Sequence, residues 1–381
     1  MKLNRDKLKE NIEKRIGDDV KSCRVGGALV QVCQDGETVY RAAFGSKTPG
    51  AEDNLPYDTV FRMASMTKPI TAAAILIQAS KGLLEINDTV DKFIPEYSRM
   101  DIGKVEDGKV VRVGKAKEKI RILHLLTHSS GLGSMEVGDI QFAGMTPEQK
   151  KTLKGVVDYH ANAALAFEPF SAQAYSATVA FDVMARIVEI TSGLPYDRFL
   201  KKELFEPLGM KDTTFAPTAE QWDRMIGMHN LVDGRSVSRR MPDGCVFEDF
   251  PVTYFSGGAG LASTLDDYSA FAEMLLNKGN AGEKQIISPE LIEMMATPQL
   301  PKSIMPDPQV WGLGVRVITH ESYKILPVGA FGWSGAYGTH FWVDPVNKIT
   351  AVYLKNSAYD GGSGALTAAH FEEDVTNSFE D

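Results

Sequence analysis

Apolar positions recur at helical spacing over residues 4–16, so the chain opens with a charged, amphipathic helix. The pattern then changes to near-continuous apolar runs over residues 26–33 and 38–45, joined by Asp35-Gly36, a combination that predicts a β-hairpin. A strong helical run follows over residues 69–77. Residues 104–122 form a charged stretch with strand-like runs. Residues 179–191 are strongly periodic and stop at Ser192-Gly193; further helices are expected at 195–204, 264–278 and 288–296. The last third reads as strands at 312–318, 339–344 and 349–354, with a turn at Asp344-Pro345-Val346-Asn347 and a closing helix at 365–375. Strands at both ends with helices between them predict an α+β fold, in which one sheet is built from both ends of the chain. The expected division is an α/β lobe from residues 1–75 and 255–381, and a mostly helical lobe from 76–254.

Composition narrows the partners. With 381 residues, 43% hydrophobic and 24% charged, the chain can bury a large core in two lobes. Its net charge is −9 and it has no dense basic stripe; Arg235, Arg239 and Arg240 read as a solvated loop, so nucleic acid is not an expected partner. The richest apolar run, residues 72–79, is far too short for a membrane span. The first ten residues carry no apolar signal core, which makes a cytoplasmic location the default, with a trimmed secretory signal as the alternative. Cys23, Cys33 and Cys245 have the spacing of neither a disulfide framework nor a zinc site, and Cys33 reads as core. No metal-ligand spacing, phosphate-binding glycine loop or Gly-x-Ser-x-Gly elbow occurs, so neither metal nor cofactor is expected.

The candidate chemistry centres on Ser65-Met66-Thr67-Lys68. Residues three apart on a helix are neighbours, so the Lys68 amine can reach the Ser65 hydroxyl. Pro69 fits only the first helical turn, which puts Ser65 at or just before the helix N-terminus, where backbone N–H groups favour developing negative charge. A serine hydroxyl needs a proton acceptor to become a nucleophile, and a partly buried lysine can serve. The tetrad is short enough that a chain of this kind carries about one by chance. The rest of the site decides.

Downstream lie Leu125-Leu126-Thr127-His128-Ser129-Ser130-Gly131-Leu132, Pro169 with Tyr175-Ser176, the glycine-rich stretch from Gly257 to Thr264, and Gly332-Trp333-Ser334-Gly335-Ala336. In this order they resemble the motifs of the penicillin-recognising serine hydrolases. The likeness is strongest to the family VIII carboxylesterases, which are similar to class C β-lactamases. It covers nearly the whole chain. It implies a β-lactamase/transpeptidase-like fold: an antiparallel sheet flanked by terminal helices, a mostly helical second lobe, and an active site in the cleft between them. It also implies that Ser65 is the nucleophile, that Lys68 and Tyr175 share the proton transfers, and that the backbone N–H groups of Ser65 and Ala336 form the oxyanion hole. Trp333, Ser334, Gly335 and Ala177 are the expected substrate-binding positions. A strand glycine at 335 suits close passage of a substrate, or a bulge.

Two departures bear on substrate. The β-lactamase second motif has Asn where this chain has Ala177, and the third begins with a cation where this chain has Trp333. Neither replacement can hold the amide or the carboxylate of a penicillin, and Trp333 offers an apolar wall. The expected activity is therefore hydrolysis of small uncharged esters of short to medium acyl chain, with β-lactam turnover as a side activity. The alternatives are a β-lactamase or D-amino-acid peptidase, an acyltransferase to an alcohol, and a non-catalytic binding protein on the same scaffold. His128 is expected to be a structural hydrogen-bonding residue, and His340 to face either side of its strand. Phe167, Phe170, Tyr254 and Phe255 are candidates for pocket or core, and residues 104–122 and the 141–154 loop for specificity.

Overall fold

The computed structural model describes residues 1–380 apart from 49–50, 52, 234, 240–251, 358–359 and 363–364. Its centre is a seven-stranded sheet, antiparallel throughout. The strands in chain order are β1 (Gly27–Gln34), β2 (Glu37–Gly45), β3 (Gln309–Trp311), β4 (Arg316–Ile318), β5 (Phe331–Ser334), β6 (His340–Asp344) and β7 (Ile349–Lys355). Their order across the sheet is β3-β4-β5-β6-β7-β1-β2, so the N-terminal hairpin adds to the C-terminal meander through the β1–β7 pair, with Ala28 opposite Lys355. The sheet drawn from both chain ends is thus present.

The strands are apolar on successive residues because both faces are covered. Val30, Trp342, Ala351 and Tyr353 pack on one face beneath α1 (Arg5–Lys21) and α5 (Leu366–Thr376), where Leu8, Ile12, Phe371 and Val375 complete that core. Leu29, Phe341, Val352 and Leu354 face the larger core. This core includes α2 (Thr67–Ser80), α3 (Val179–Ser192) and α4 (Leu265–Leu276). Every residue of α2 from Thr67 to Gln78 is buried, as expected of a helix apolar on all sides. No described helix is long and apolar enough to cross a membrane.

Two local expectations change. Residues 312–318 are not one strand: 312–315 form the turn between β3 and β4, and 316–318 are β4 itself. Gly314 adopts φ +74°, and a Cβ at Gly312 would lie 2.0 Å from the Met295 carbonyl oxygen, so the chain must turn there. Residues 235–239 are not loop but the second strand of a hairpin with Met228–Val232, closed at Asp233 with φ +48° and tied to the sheet by His229 N–H donating to Asn356 O at 2.9 Å. Arg240 and Cys245 lie outside the described residues. The 141–154 segment is bracketed by helices, Met135–Ala143 and Leu153–His160, while residues 101–115 form the antiparallel hairpin Asp101–Glu106/Lys109–Lys115.

Candidate active site

Ser65 lies in a single 3-10 turn, Ala64–Met66, that leads directly into α2. The turn is held on both sides: Met63 N–H donates to Leu261 O at 2.9 Å, and Tyr268 Oη donates to Met66 O at 2.8 Å. Ala64 carries φ +45°, a costly conformation for a residue with a Cβ. Three residues on, in the first turn of α2, Lys68 is fully buried and its Nζ lies 3.2 Å from Ser65 Oγ. The same Nζ donates to Ala177 O at 2.5 Å and Gly258 O at 2.8 Å. Carbonyl oxygens can only accept, so they pin two amine hydrogens and aim the third tetrahedral position at Ser65. As an ammonium Lys68 donates to Ser65; as an amine it presents a lone pair.

Tyr175 reaches the same oxygen, with Oη donating to Ser65 Oγ at 2.8 Å and Lys68 Nζ 4.8 Å from its ring centre. Its loop is held by His128, whose carbonyl accepts Ala174 N–H at 3.0 Å and whose Nδ1 accepts Ser176 N–H at 3.0 Å. The imidazole also packs against the Tyr175 ring, 4.5 Å between centres. Burial, and then the Lys68 charge, push the His128 pKa well below its ordinary value, so the ring is a neutral acceptor. His128 therefore takes the structural hydrogen-bonding role expected of it.

Asp182, which the sequence reading missed, lies beneath this group on α3. It is fully buried and accepts hydrogen bonds from Tyr254 Oη and, at 2.7 Å, from Ser256 Oγ. Burial pushes its carboxyl up to about 6, against the opposing pull of those hydrogen bonds and of the Lys68 charge. Ser256 Oγ in turn accepts Gly258 N–H at 3.2 Å, so Asp182 fixes the loop whose carbonyl holds Lys68. The glycines there are required: a Cβ at Gly257 would lie 2.4 Å from Phe181 O, and one at Gly258 2.6 Å from Thr178 Cα. Tyr254 thus belongs to this buried network rather than to a pocket wall. Phe170 packs on His124 and Phe255 on Phe215.

The strand end facing Ser65 is β5. Gly335, just beyond it, serves a close approach within the chain: a Cβ there would meet Met63 O at 2.3 Å and Thr339 Oγ1 at 2.2 Å. Its N–H donates to Thr339 O at 2.7 Å and its carbonyl accepts Gly338 N–H at 2.9 Å and Gly362 N–H at 2.8 Å. Among the described residues, the N–H groups of Ser65 and Ala336 have no hydrogen bond within the chain.

A cavity of about 390 Å³ opens on Ser65 and is lined by Tyr175, Val310, Trp311, Trp333, Ser334 and Ala336 among others. Trp311 and Trp333 meet with ring centres 4.5 Å apart, and Tyr175 stacks on Trp311 at 6.2 Å. Of the expected substrate positions, Trp333 and Ser334 line this cavity, whereas Ala177 contributes its carbonyl to Lys68 and Gly335 its fit against Met63. Trp311 was overlooked because the run after it read as a single strand.

The family described as Beta-lactamase matches residues 12–372 of this chain. The chain is 30% identical to Esterase EstB from Burkholderia gladioli over 375 residues, covering 91% of this chain and 90% of that protein. Among solved structures it is similar to EstCE1, a hydrolase with promiscuous acyltransferase activity, at TM-score 0.81 and 24% identity, over 97% of this chain and 99% of the other. A family VIII carboxylesterase superposes at TM-score 0.78 and 18% identity, over 98% of each chain. At those identities the structures speak for the fold alone, which is the β-lactamase/transpeptidase-like arrangement expected from the motifs. Taken with a sequence match that runs almost from end to end, they leave a single conclusion: this chain belongs to the beta-lactamase family.

Proposed function

We propose that the protein is a serine carboxylesterase that cleaves small uncharged esters through an acyl-enzyme on Ser65. The reading rests on one observation above all. Ser65 Oγ receives both Lys68 Nζ and Tyr175 Oη, at 3.2 and 2.8 Å, at the mouth of a cavity walled by aromatic rings. In this mechanism Ser65 Oγ attacks the ester carbonyl while its proton passes into the Lys68–Tyr175 pair. The oxyanion is received by the N–H groups of Ser65 and Ala336, an interaction worth about 3–4 kcal/mol per donor. Tyr175, exposed on its outer side, protonates the leaving alcohol and then activates the water that releases the acid. The work is done between the sheet lobe (1–75 and 255–381) and the helical lobe (76–254).

The choice of an ester, rather than a β-lactam, as substrate rests on the cavity wall at Trp333 and on the side chain that position 177 lacks. Trp333 supplies an apolar wall where a β-lactamase needs a cation, and Ala177 has no side-chain amide to read a penicillin. The 30% identical esterase relative supports the same substrate class. Short-chain p-nitrophenyl esters, a chromogenic cephalosporin and a D-Ala-D-Ala peptide, each assayed with wild type and Ser65→Ala, test the reading. Ester turnover should dominate and vanish in Ser65→Ala. Turnover that survives the substitution removes Ser65 from the mechanism, and cephalosporin or peptide turnover above ester turnover moves the assignment to a β-lactamase or peptidase.

A further inference from the structure

Behind the third motif, three polar side chains meet around one buried carboxylate, and a fourth reaches it through one of them. Glu372 of α5 is 1% exposed and accepts from Arg316 Nη2 at 2.5 Å and His340 Nε2 at 3.0 Å on one oxygen, and from Tyr323 Oη at 2.7 Å on the other. The other ring nitrogen of His340, Nδ1, lies 2.8 Å from Ser334 Oγ, its direct cross-strand neighbour. Ser334 and Arg316 both line the cavity at Ser65. Nothing in the ester mechanism uses His340 or Glu372.

With a neutral His340 ring, the hydrogens of this cluster have one consistent arrangement. Burial alone would raise the Glu372 carboxyl, but the Arg316 charge and the hydrogen bonds from His340 and Tyr323 outweigh it and hold the group at about 2. As a carboxylate Glu372 can only accept, so the His340 nitrogen facing it, Nε2, carries a hydrogen. Arg316 already neutralises Glu372, and one ring hydrogen satisfies the cluster. Nδ1 is then bare and accepts from Ser334, whose single hydrogen points inward. Ser334 is left with only lone pairs to offer the cavity.

We propose that His340 and Glu372 are positioning residues that make Ser334 a hydrogen-bond acceptor toward the substrate, so that the site selects esters carrying a hydroxyl or amide N–H near the scissile carbonyl. The selection rests on the esterase reading; the orientation of the hydrogens does not. Two measurements separate them. The first is the ¹⁵N–¹H correlation spectrum of the His340 ring in the wild-type protein, assigned by loss of its signals in His340→Gln. A hydrogen on Nε2 and a bare Nδ1 are expected, and a hydrogen on Nδ1 overturns the proposal whether or not any ester is turned over.

The second compares kcat/KM within near-isosteric pairs, p-nitrophenyl 3-hydroxybutanoate against the 3-methylbutanoate and 2-hydroxyethyl benzoate against propyl benzoate. These place a donor on the acyl or on the alcohol side. Wild type should favour the hydroxylated member of one pair about tenfold, the factor a single neutral hydrogen bond supplies. Ser334→Ala should bring that ratio to about one, and His340→Leu should reduce it by freeing the hydroxyl to turn. Each ratio is internal to one enzyme, so a general loss of activity cancels. Ratios near one in wild type, or a preference that survives Ser334→Ala, overturn the selection while leaving esterase activity standing. Loss of all Ser65-dependent ester turnover refutes the esterase reading instead and, with it, the selection.

Discussion

Gly335→Ala adds one methyl group and should nearly silence the enzyme. The new Cβ would stand 2.3 Å from Met63 O and 2.2 Å from Thr339 Oγ1, against the 3.4 Å at which ordinary contact begins. The strand end and the Ser65 turn must therefore separate by about 1 Å, the scale on which a misplaced reacting group loses about 10²-fold. What moves is Ala336, whose N–H is the second oxyanion donor in the proposed mechanism, and removal of such a donor costs 10²–10³ in kcat, or about 3–4 kcal/mol. The methyl group also intrudes on the Thr339 Oγ1 to Met63 O hydrogen bond of 3.0 Å, a loss of about 1 kcal/mol in stability. The variant should thus stay folded, with a small drop in Tm and a kcat for p-nitrophenyl butanoate lowered by about 10²–10³. Stopped-flow acylation should show the same loss, since the oxyanion forms in that step. Wild-type kcat despite the expected drop in Tm would show that Ala336 does not stabilise the transition state, and wild-type kcat with an unchanged Tm would show that the strand end does not move.

Lys68→Ala and Tyr175→Phe should each lower kcat by about 10²–10⁴, and the double variant should lose far less than the product of the two; full multiplicativity would show that they do not act as a unit. Asp182, held up to about 6 by burial, takes a proton as pH falls through that value and withdraws its negative charge from the network around Lys68. An acid limb near pH 6 in kcat/KM is therefore expected for wild type and should be missing from Asp182→Asn; a limb common to both assigns it elsewhere. Glu372, held at about 2 below its ordinary 4.5, contributes stability as a carboxylate that is full above about pH 4.5 and lost as pH falls toward 2. Breaking its buried ion pair in Glu372→Gln should cost about 3–5 kcal/mol at neutral pH by urea unfolding. That deficit should shrink below pH 4.5, and a deficit constant from pH 3.5 to 7 would contradict the assignment.

The parts of the site legible in the sequence were those encoded by short-range geometry or carried by the ordered motifs, as with Tyr175 and Ala336. Ser65 and Lys68 are three residues apart across a 3-10 turn that runs into α2, and Asp35-Gly36 closes a hairpin through φ values of +53° and +79°. What stayed hidden depends on segments that meet only in the folded chain. Asp182 resembles any first-turn helical acid until Tyr254 and Ser256 reach it from the glycine-rich loop. Gly335 read as room for a substrate, because the carbonyl of Met63 that needs the room lies far away in sequence. Trp311 was masked by Gly314, whose turn broke an apolar run that looked continuous. His340 could not be oriented on its strand until Glu372 was brought beneath it by α5.

The pairing of β1 with β7 has a consequence for how the molecule comes into being. Ala28 meets Lys355, and Leu3 bridges Phe379, so the sheet cannot close until nearly all of the chain has been synthesised. Ser65 and Lys68 leave the ribosome early and can form their helix at once, yet the strand end bearing Ala336 arrives more than two hundred residues later. In the proposed mechanism, a nascent chain therefore carries Ser65 through most of translation without the Ala336 donor that completes the oxyanion hole. Closure across such a sequence separation is also slow, since the loop entropy is lost before the contacts that repay it form. Loss of a few residues from the C-terminal strands should leave an inert protein, not a weakened one.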